Sequence, residues 1–241
     1  MIQRIIDKNN SVFEAYLTTA IYGMSFVFMA AALTVYIAPG ANGSGVGEVM
    51  GLLNGINFPQ AIGLRTLGVK CVSNIFAISG LLCLGKEGPL VHIGANCGAI
   101  VCYLPISGFM TLRNDVSKRQ MMAAGAAVGV SCAFGAPVGG ALFAYELSKP
   151  NTFWTFSMLW RVFASCCIAT FLLGILGALE QGLTFSFNDI GGTKFSFQDV
   201  SESSLLNLPG AIVIGVACGL LGSTFVQVNV KLAIIRKKLF P

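Results

Sequence analysis

The chain has 241 residues, of which 55% are apolar and only 10% charged, and its mean hydropathy is +0.77. Soluble domains carry about 25% charged residues, so soluble enzymes, disordered regulators and nucleic-acid binders are poor candidates, and a membrane protein is the default reading. The net charge of +5 does not argue for nucleic acid, because the basic residues cluster at Arg4 and Lys8, at Arg65 and Lys70, at Arg113, Lys118 and Arg119, and from Lys231 to Lys238. These clusters lie between apolar stretches, where membrane-flanking charges belong.

At about 20 residues per span, the length allows roughly six to eight membrane segments. Residues 1–16 mix both charges with polar side chains and show no signal peptide, so insertion would rely on the first apolar span. That span, Leu17 to Ala38, is uncharged and long enough to cross a bilayer. A loop rich in glycine and alanine follows from Pro39 to Gly47, then a short helical stretch from Val46 to Leu53. Cys71 to Gly85 is again short for a crossing. Gly88 to Leu112 and Gln120 to Tyr145 are long and uncharged, yet Pro89, Pro105 and Pro137 interrupt them. Val162 to Leu179 reads as a span, Phe185 to Glu202 as an aqueous loop, and Ser203 to Val230 as the last apolar run before a basic tail. The expected organisation is a flanking segment at 1–16, a transmembrane region at 17–180, a polar loop at 181–202, and a last helix with its tail at 203–241.

Apolar segments broken by Gly and Pro predict helices that stop inside the membrane. Irregular backbone at that depth survives only where protein buries it or where it lines a polar cavity. Half-helices of this kind place free N–H groups and partial positive charge near the midplane, where those donors would replace the water around an anion. Kinks that merely aid packing explain the pattern equally well. Small residues at four-residue spacing (Gly47, Gly51, Gly55; Gly125, Gly129; Gly135, Gly139; Gly215, Gly219) allow close helix approach, as in any tight bundle. The eight cysteines form no CxxC pair and there is one histidine. Neither a zinc site nor a disulfide framework follows, and no metal or cofactor is expected.

Three stretches would carry chemistry. Gly80 to Glu87 approaches a phosphate-binding loop, but that loop needs Ser or Thr after the lysine to hold magnesium. Glu87 stands there instead, with Pro89 two residues on. The better reading runs from Gly85 through Lys86, Glu87, Gly88 and Pro89 to His92. Pro89 suits the first turn of a helix, Gly85 and Gly88 let backbone approach a ligand, and a carboxylate in an apolar membrane segment is a functional candidate by default. Its structural alternative is a Lys86–Glu87 ion pair, which helical geometry disfavours for adjacent residues. His92, alone on an apolar helix, reads as a packed, hydrogen-bonded residue. In the second stretch, Gly43-Ser44-Gly45-Val46-Gly47-Glu48, Ser44 would either cap the following helix or coordinate an anion beside exposed N–H groups. The third, Gly135 to Glu146, is a Pro-broken helix junction whose terminal carboxylate reads as structural, at a membrane boundary.

Taken in order, GSGVGEV at 43–49, GKEGPLVHIGA at 85–95, GVSCAFGAPVGGALFAYE at 129–146 and LWRVF at 159–163 resemble the CLC family of chloride channels and chloride/proton exchangers. The resemblance runs from about Leu17 to the basic tail. It implies an all-α, polytopic membrane protein with tilted, broken and non-spanning helices, built as the first inverted repeat plus the start of the second. It implies a homodimer with one anion path per subunit. It further implies that Ser44 coordinates chloride, that Glu87 is the gate, and that Gly45, Val46, Lys86 and Gly88 belong to the chloride site. Gly43, Gly47, Gly85 and Pro89 would form the filter turns.

The chain also departs from that family. Exchangers carry a second glutamate directly after the position of Glu146, where this chain has Leu147, which favours passive conduction. Gly47 replaces the usual proline. A GxFxP turn, the late tyrosine that contacts chloride and the cytoplasmic CBS domains do not occur, so the chain reads as part of a longer polypeptide. The expectation is a channel-like chloride transporter, multi-pass in the membrane, contacting lipid and chloride but not nucleic acid, and not an enzyme. The alternatives are a chloride/proton exchanger, or a truncated, non-conducting chain that associates with full-length CLC subunits.

Overall fold

A computed structural model describes residues 12–82, 84–105, 113–148, 154–180 and 208–239. Every regular element among them is helical: α1 (Val12–Ala32), α2 (Val46–Leu53), α3 (Leu64–Ser79), α4 (Glu87–Val101), α5 (Asp115–Phe134), α6 (Pro137–Ser148), α7 (Phe156–Glu180) and α8 (Leu208–Leu239). The all-α membrane architecture expected above is the one observed. Tyr16–Ile37, Phe156–Leu179 and Leu208–Leu239 are long and apolar enough to cross a membrane, with hydropathies of 1.8, 2.3 and 2.0. α2, α3, α4 and α6 have 8 to 16 residues, too few for about 30 Å of hydrocarbon at 1.5 Å per residue.

Local chemistry sets the breaks. α1 ends in a π-helical turn, Leu33–Ile37. Pro39 then forces Ala38 out of helical conformation (φ −143°, ψ 88°), because proline crowds the residue before it. Asn114 caps α5 through its side chain, which accepts the Val116 N–H at 3.4 Å. Gly135 closes α5 in the left-handed region at φ 67°, and Pro137 opens α6, where its missing N–H costs nothing. α2 occupies the predicted residues. α3 starts seven positions before the predicted Cys71, because Thr66, Val69, Lys70 and Ser73 form one buried helical face that a charge count alone disguises. α8 continues past Val230 through the basic residues, which suit a helix C-terminus. The predicted loop from Phe185 to Glu202 lies outside the described residues.

The chain divides into two compact units, Met1–Lys194 and Phe195–Pro241, of which the second contributes α8. In the first, α5 is central: it packs on α4, α6 and α7, while α1 packs on α3. Glycine sets the α4–α5 distance. A Cβ on Gly94 or Gly98 would run into the backbone of α5 at Gly125 or Met121, and one on Gly125 or Gly129 would strike α4 at Gly94 or Leu90. With no hydrophobic drive between helices in lipid, such backbone contact supplies the van der Waals packing. Among the predicted small-residue pairs, only Gly125 and Gly129 work this way. Gly135 is a helix terminator, Gly140 rather than Gly139 meets α5 (at Ser131 and the Ala127 carbonyl), and Gly47, Gly215 and Gly219 face open space. The core around this contact is alanine-rich and includes Val49, Leu53, Val91, Met122, Leu147 and Val162.

Candidate functional site

The Ser44 turn is built by its neighbours. Pro39–Ala41 forms a 3-10 turn, and the Gly43 N–H donates to Asn42 Oδ1 at 2.8 Å. Gly45 sits in the left-handed region (φ 79°, ψ −6°) as the N-cap of α2, with no side-chain cap hydrogen bond. Ser44 therefore does not cap the helix, and the capping role weighed for it is set aside. Only glycine suits position 45, for two reasons: the conformation disfavours other residues, and a Cβ would strike the His92 ring. The first N–H groups of α2 lack intrahelical partners, as at every helix start.

The second turn follows α3. Gly80 ends that helix, Leu81 takes a positive φ of 59°, and the chain returns to open α4 at Glu87, with Pro89 in its first turn. The two helix starts meet. A Cβ on Gly88 would stand 2.8 Å from Ser44 Cβ, 3.5 Å from Ser44 Cα and 3.7 Å from Val46 Cγ2. The Glu87 carboxylate folds back onto Gly85, where it would collide with any side chain. Gly45 is buried; Val46, Glu87, Gly88 and Pro89 are half-buried; Gly43, Ser44, Gly47, Gly85 and Lys86 are exposed. Of the residues read from the sequence, Gly43, Ser44, Gly85 and Pro89 line one cavity of about 500 Å³, together with Thr34, Lys70, Ser73 and Asn74.

Lys70 corrects a sequence reading. It is no flanking surface charge: it is 2% exposed, and its Nζ donates to the carbonyls of Ala41 at 2.9 Å and Gly43 at 2.7 Å, with Asn42 O at 3.5 Å. A lysine buried with carbonyl acceptors meets the hydrogen-bonding demand of a buried cation. Here it also fastens the turn that carries Ser44. The detectable signal was Lys70 at helical spacing with Thr66, Val69 and Ser73.

Beneath the turn, α4 clamps the connection between α2 and α3. His92 is fully buried with Nε2 2.8 Å from the Ala61 carbonyl, the packed role expected for it. Asn96, one turn on, accepts the Gly63 N–H at 2.9 Å and donates to the carbonyls of Ala61 at 3.2 Å and His92 at 3.3 Å. Away from the cavity, Leu147 is 6% exposed in the apolar core with Met158, Val162 and Cys166, and Glu146 is exposed.

Two helix starts thus converge with a serine between them and a carboxylate beside them. A family model described as "Voltage gated chloride channel" matches residues 26–241. The chain is 38% identical over 228 residues to "Chloride channel protein A" of Dictyostelium discoideum, covering 91% of this chain and 26% of that protein. It is 32% identical over 244 residues to "H(+)/Cl(-) exchange transporter 7" of Homo sapiens, covering 98% of this chain and 30% of that one. Among solved structures, a slow cyanobacterial Cl-/H+ antiporter superposes with a TM-score of 0.67 at 25% identity, over 88% of this chain and 45% of the other. The chain thus spans about a third or less of the length of these curated relatives.

Proposed function

We propose, from the premise that this chain belongs to the voltage gated chloride channel family, that it supplies half of a chloride path gated by Glu87. The reading is carried by one observation, the abutment of the α2 and α4 starts at Ser44 and Gly88. Each start offers N–H donors without intrahelical partners and about half a positive charge. Those donors replace chloride's hydration shell, Ser44 adds a hydroxyl, and the Glu87 carboxylate competes with chloride for the same N–H groups. Lys70 on the cavity wall adds positive charge without reaching the anion, since its ammonium is committed to the turn's carbonyls.

Transport is channel-like in this proposal, because Leu147 offers no proton carrier and is packed among apolar side chains. The cargo is chloride, no cofactor or catalytic chemistry is required, and the working unit is a homodimer in lipid. The test is anion flux across a bilayer in the complete polypeptide that carries this segment. Glu87→Gln should abolish gating and leave the path open, and Ser44→Pro should shift the preference between chloride and nitrate. If neither variant changes either property, the site assignment falls.

An exchanger is the second reading, favoured by the relatives named as H(+)/Cl(-) exchange transporters. Reversal potentials that move with an imposed proton gradient would establish it against the channel.

A further inference from the structure

The Ser44 turn rests on a buried ring that chloride coordination does not use. The Ala61 carbonyl only accepts, so the 2.8 Å contact with His92 Nε2 requires the hydrogen on Nε2. Nδ1 is left with a bare lone pair. That atom is buried without a partner, and it lies directly against Gly45, where a Cβ would collide with it. Glu48 Oε2, in the first turn of α2, is also buried without a partner. Orphan buried acceptors are costly and call for an explanation, and both of these lack the same thing, a hydrogen.

The surrounding charges are few. Burial holds the His92 ring below the ordinary histidine range; Lys70 from α3 adds to that and Glu48 from α2 opposes it. Glu87 opens the same helix five residues earlier, and α5 faces α4 with Gly125 and Gly129. Lys70 and Glu48 balance, so the neutral ring leaves the group uncharged, and a proton on Nδ1 would make it positive immediately beneath Gly45. We propose that His92 Nδ1 is a proton site linked to anion occupancy of the Ser44 turn, with Glu48 as its counter-charge. This rests on the reading of that turn as a chloride site. The step is proton uptake from solvent onto a lone pair, with no other bond made or broken. Linkage is reciprocal: an anion in the turn favours the proton, and the proton tightens the anion.

His92 is the only histidine in these 241 residues, and in the complete polypeptide that carries this segment, labelled with ¹⁵N-histidine in lipid nanodiscs, the signal lost in His92→Gln identifies this ring. Glu87→Gln is used throughout so that the gate carboxylate neither competes nor titrates. The expected spectrum is the Nε2–H tautomer. Replacing gluconate by chloride should raise the ring's titration midpoint by about one pH unit or more, as a nearby opposite charge does. Glu48→Gln should lower the midpoint in both buffers. Calorimetric chloride affinity should rise as the pH falls below the ordinary histidine range, and His92→Gln, which keeps an N–H for Ala61, should flatten that profile. An Nδ1–H tautomer, or a midpoint indifferent to Glu48→Gln, overturns the proposal. A midpoint indifferent to chloride that calorimetry shows to bind overturns it while leaving the chloride site standing. Absence of chloride binding overturns both.

Discussion

Lys70 shows how a single side chain on the cavity wall holds a neighbouring turn in place. Its ammonium bridges the carbonyls of Ala41 and Gly43, so the loop before α2 is fixed from below. Lys70→Met keeps the apolar stem and removes the donors, stranding acceptors whose loss costs about 1–3 kcal/mol. Thermal unfolding in detergent should show a lower midpoint, and chloride affinity should fall with it. Arg65→Met, on an exposed position of the same helix, should stay within about 0.5 kcal/mol of wild type. Equal stability of the Lys70 and Arg65 variants would mean that the turn holds itself. The sequence marked Glu87 and Ser44 through composition and motif, but Lys70 looked like any membrane-flanking charge. Residue type states that a cation is present; only its burial shows what it binds.

At the scale of elements, glycine has opposite consequences at different positions. Gly125 lies where a side chain would meet the α4 backbone at Gly94, so Gly125→Ala must push two helices apart, at a cost of about 1–3 kcal/mol for overpacking. Gly68, within α3, faces open space; Gly68→Ala should stabilise by up to about 1 kcal/mol, the helix-propensity difference. Parallel melts of the two variants check this, and a Gly125→Ala protein as stable as wild type would contradict backbone contact between α4 and α5. The element boundaries were legible where the signal is local. Gly45 and Pro137 mark helix starts, Pro39 and Gly135 mark ends, and α2 falls on its predicted residues. Spacing alone could not separate the glycines that touch a neighbour from those that do not, because the partner helix is not written in the spacing.

The molecule as a whole keeps its apolar surface outside. Phe13, Tyr16, Ile21 and Phe28 on α1, and Ile168, Leu172 and Leu176 on α7, are all exposed, which lipid tolerates and water does not. Both tryptophans of the chain, Trp154 and Trp160, lie at the beginning of the α7 span. Trp160 makes edge contacts with Phe156 and Phe163 at 6.2 Å each, and Trp154 packs at 5.7 Å from Tyr145. Aromatic residues of this kind anchor span ends at the membrane–water interface. Tryptophan fluorescence in bilayers should be quenched more strongly by lipid quenchers at headgroup depth than by quenchers at the acyl-chain centre. The reverse order would place the start of α7 within the hydrocarbon.

The sequence by itself determined that this is an all-helical membrane protein of the chloride channel family, and it marked the glycine-rich turns at Ser44 and Glu87. Those properties are local: hydropathy, helix-breaking residues and glycine-rich turns are written in consecutive positions. The tertiary structure decided which turns meet. Ser44 and Gly88 lie 44 positions apart in the chain and Gly45 and His92 lie 47 apart, and Lys70 reaches back 27 positions to the Gly43 carbonyl. Such contacts depend on how closely α4 approaches α5 and on where α3 comes to rest beside α1, and packing sets those distances through the absence of side chains at glycine.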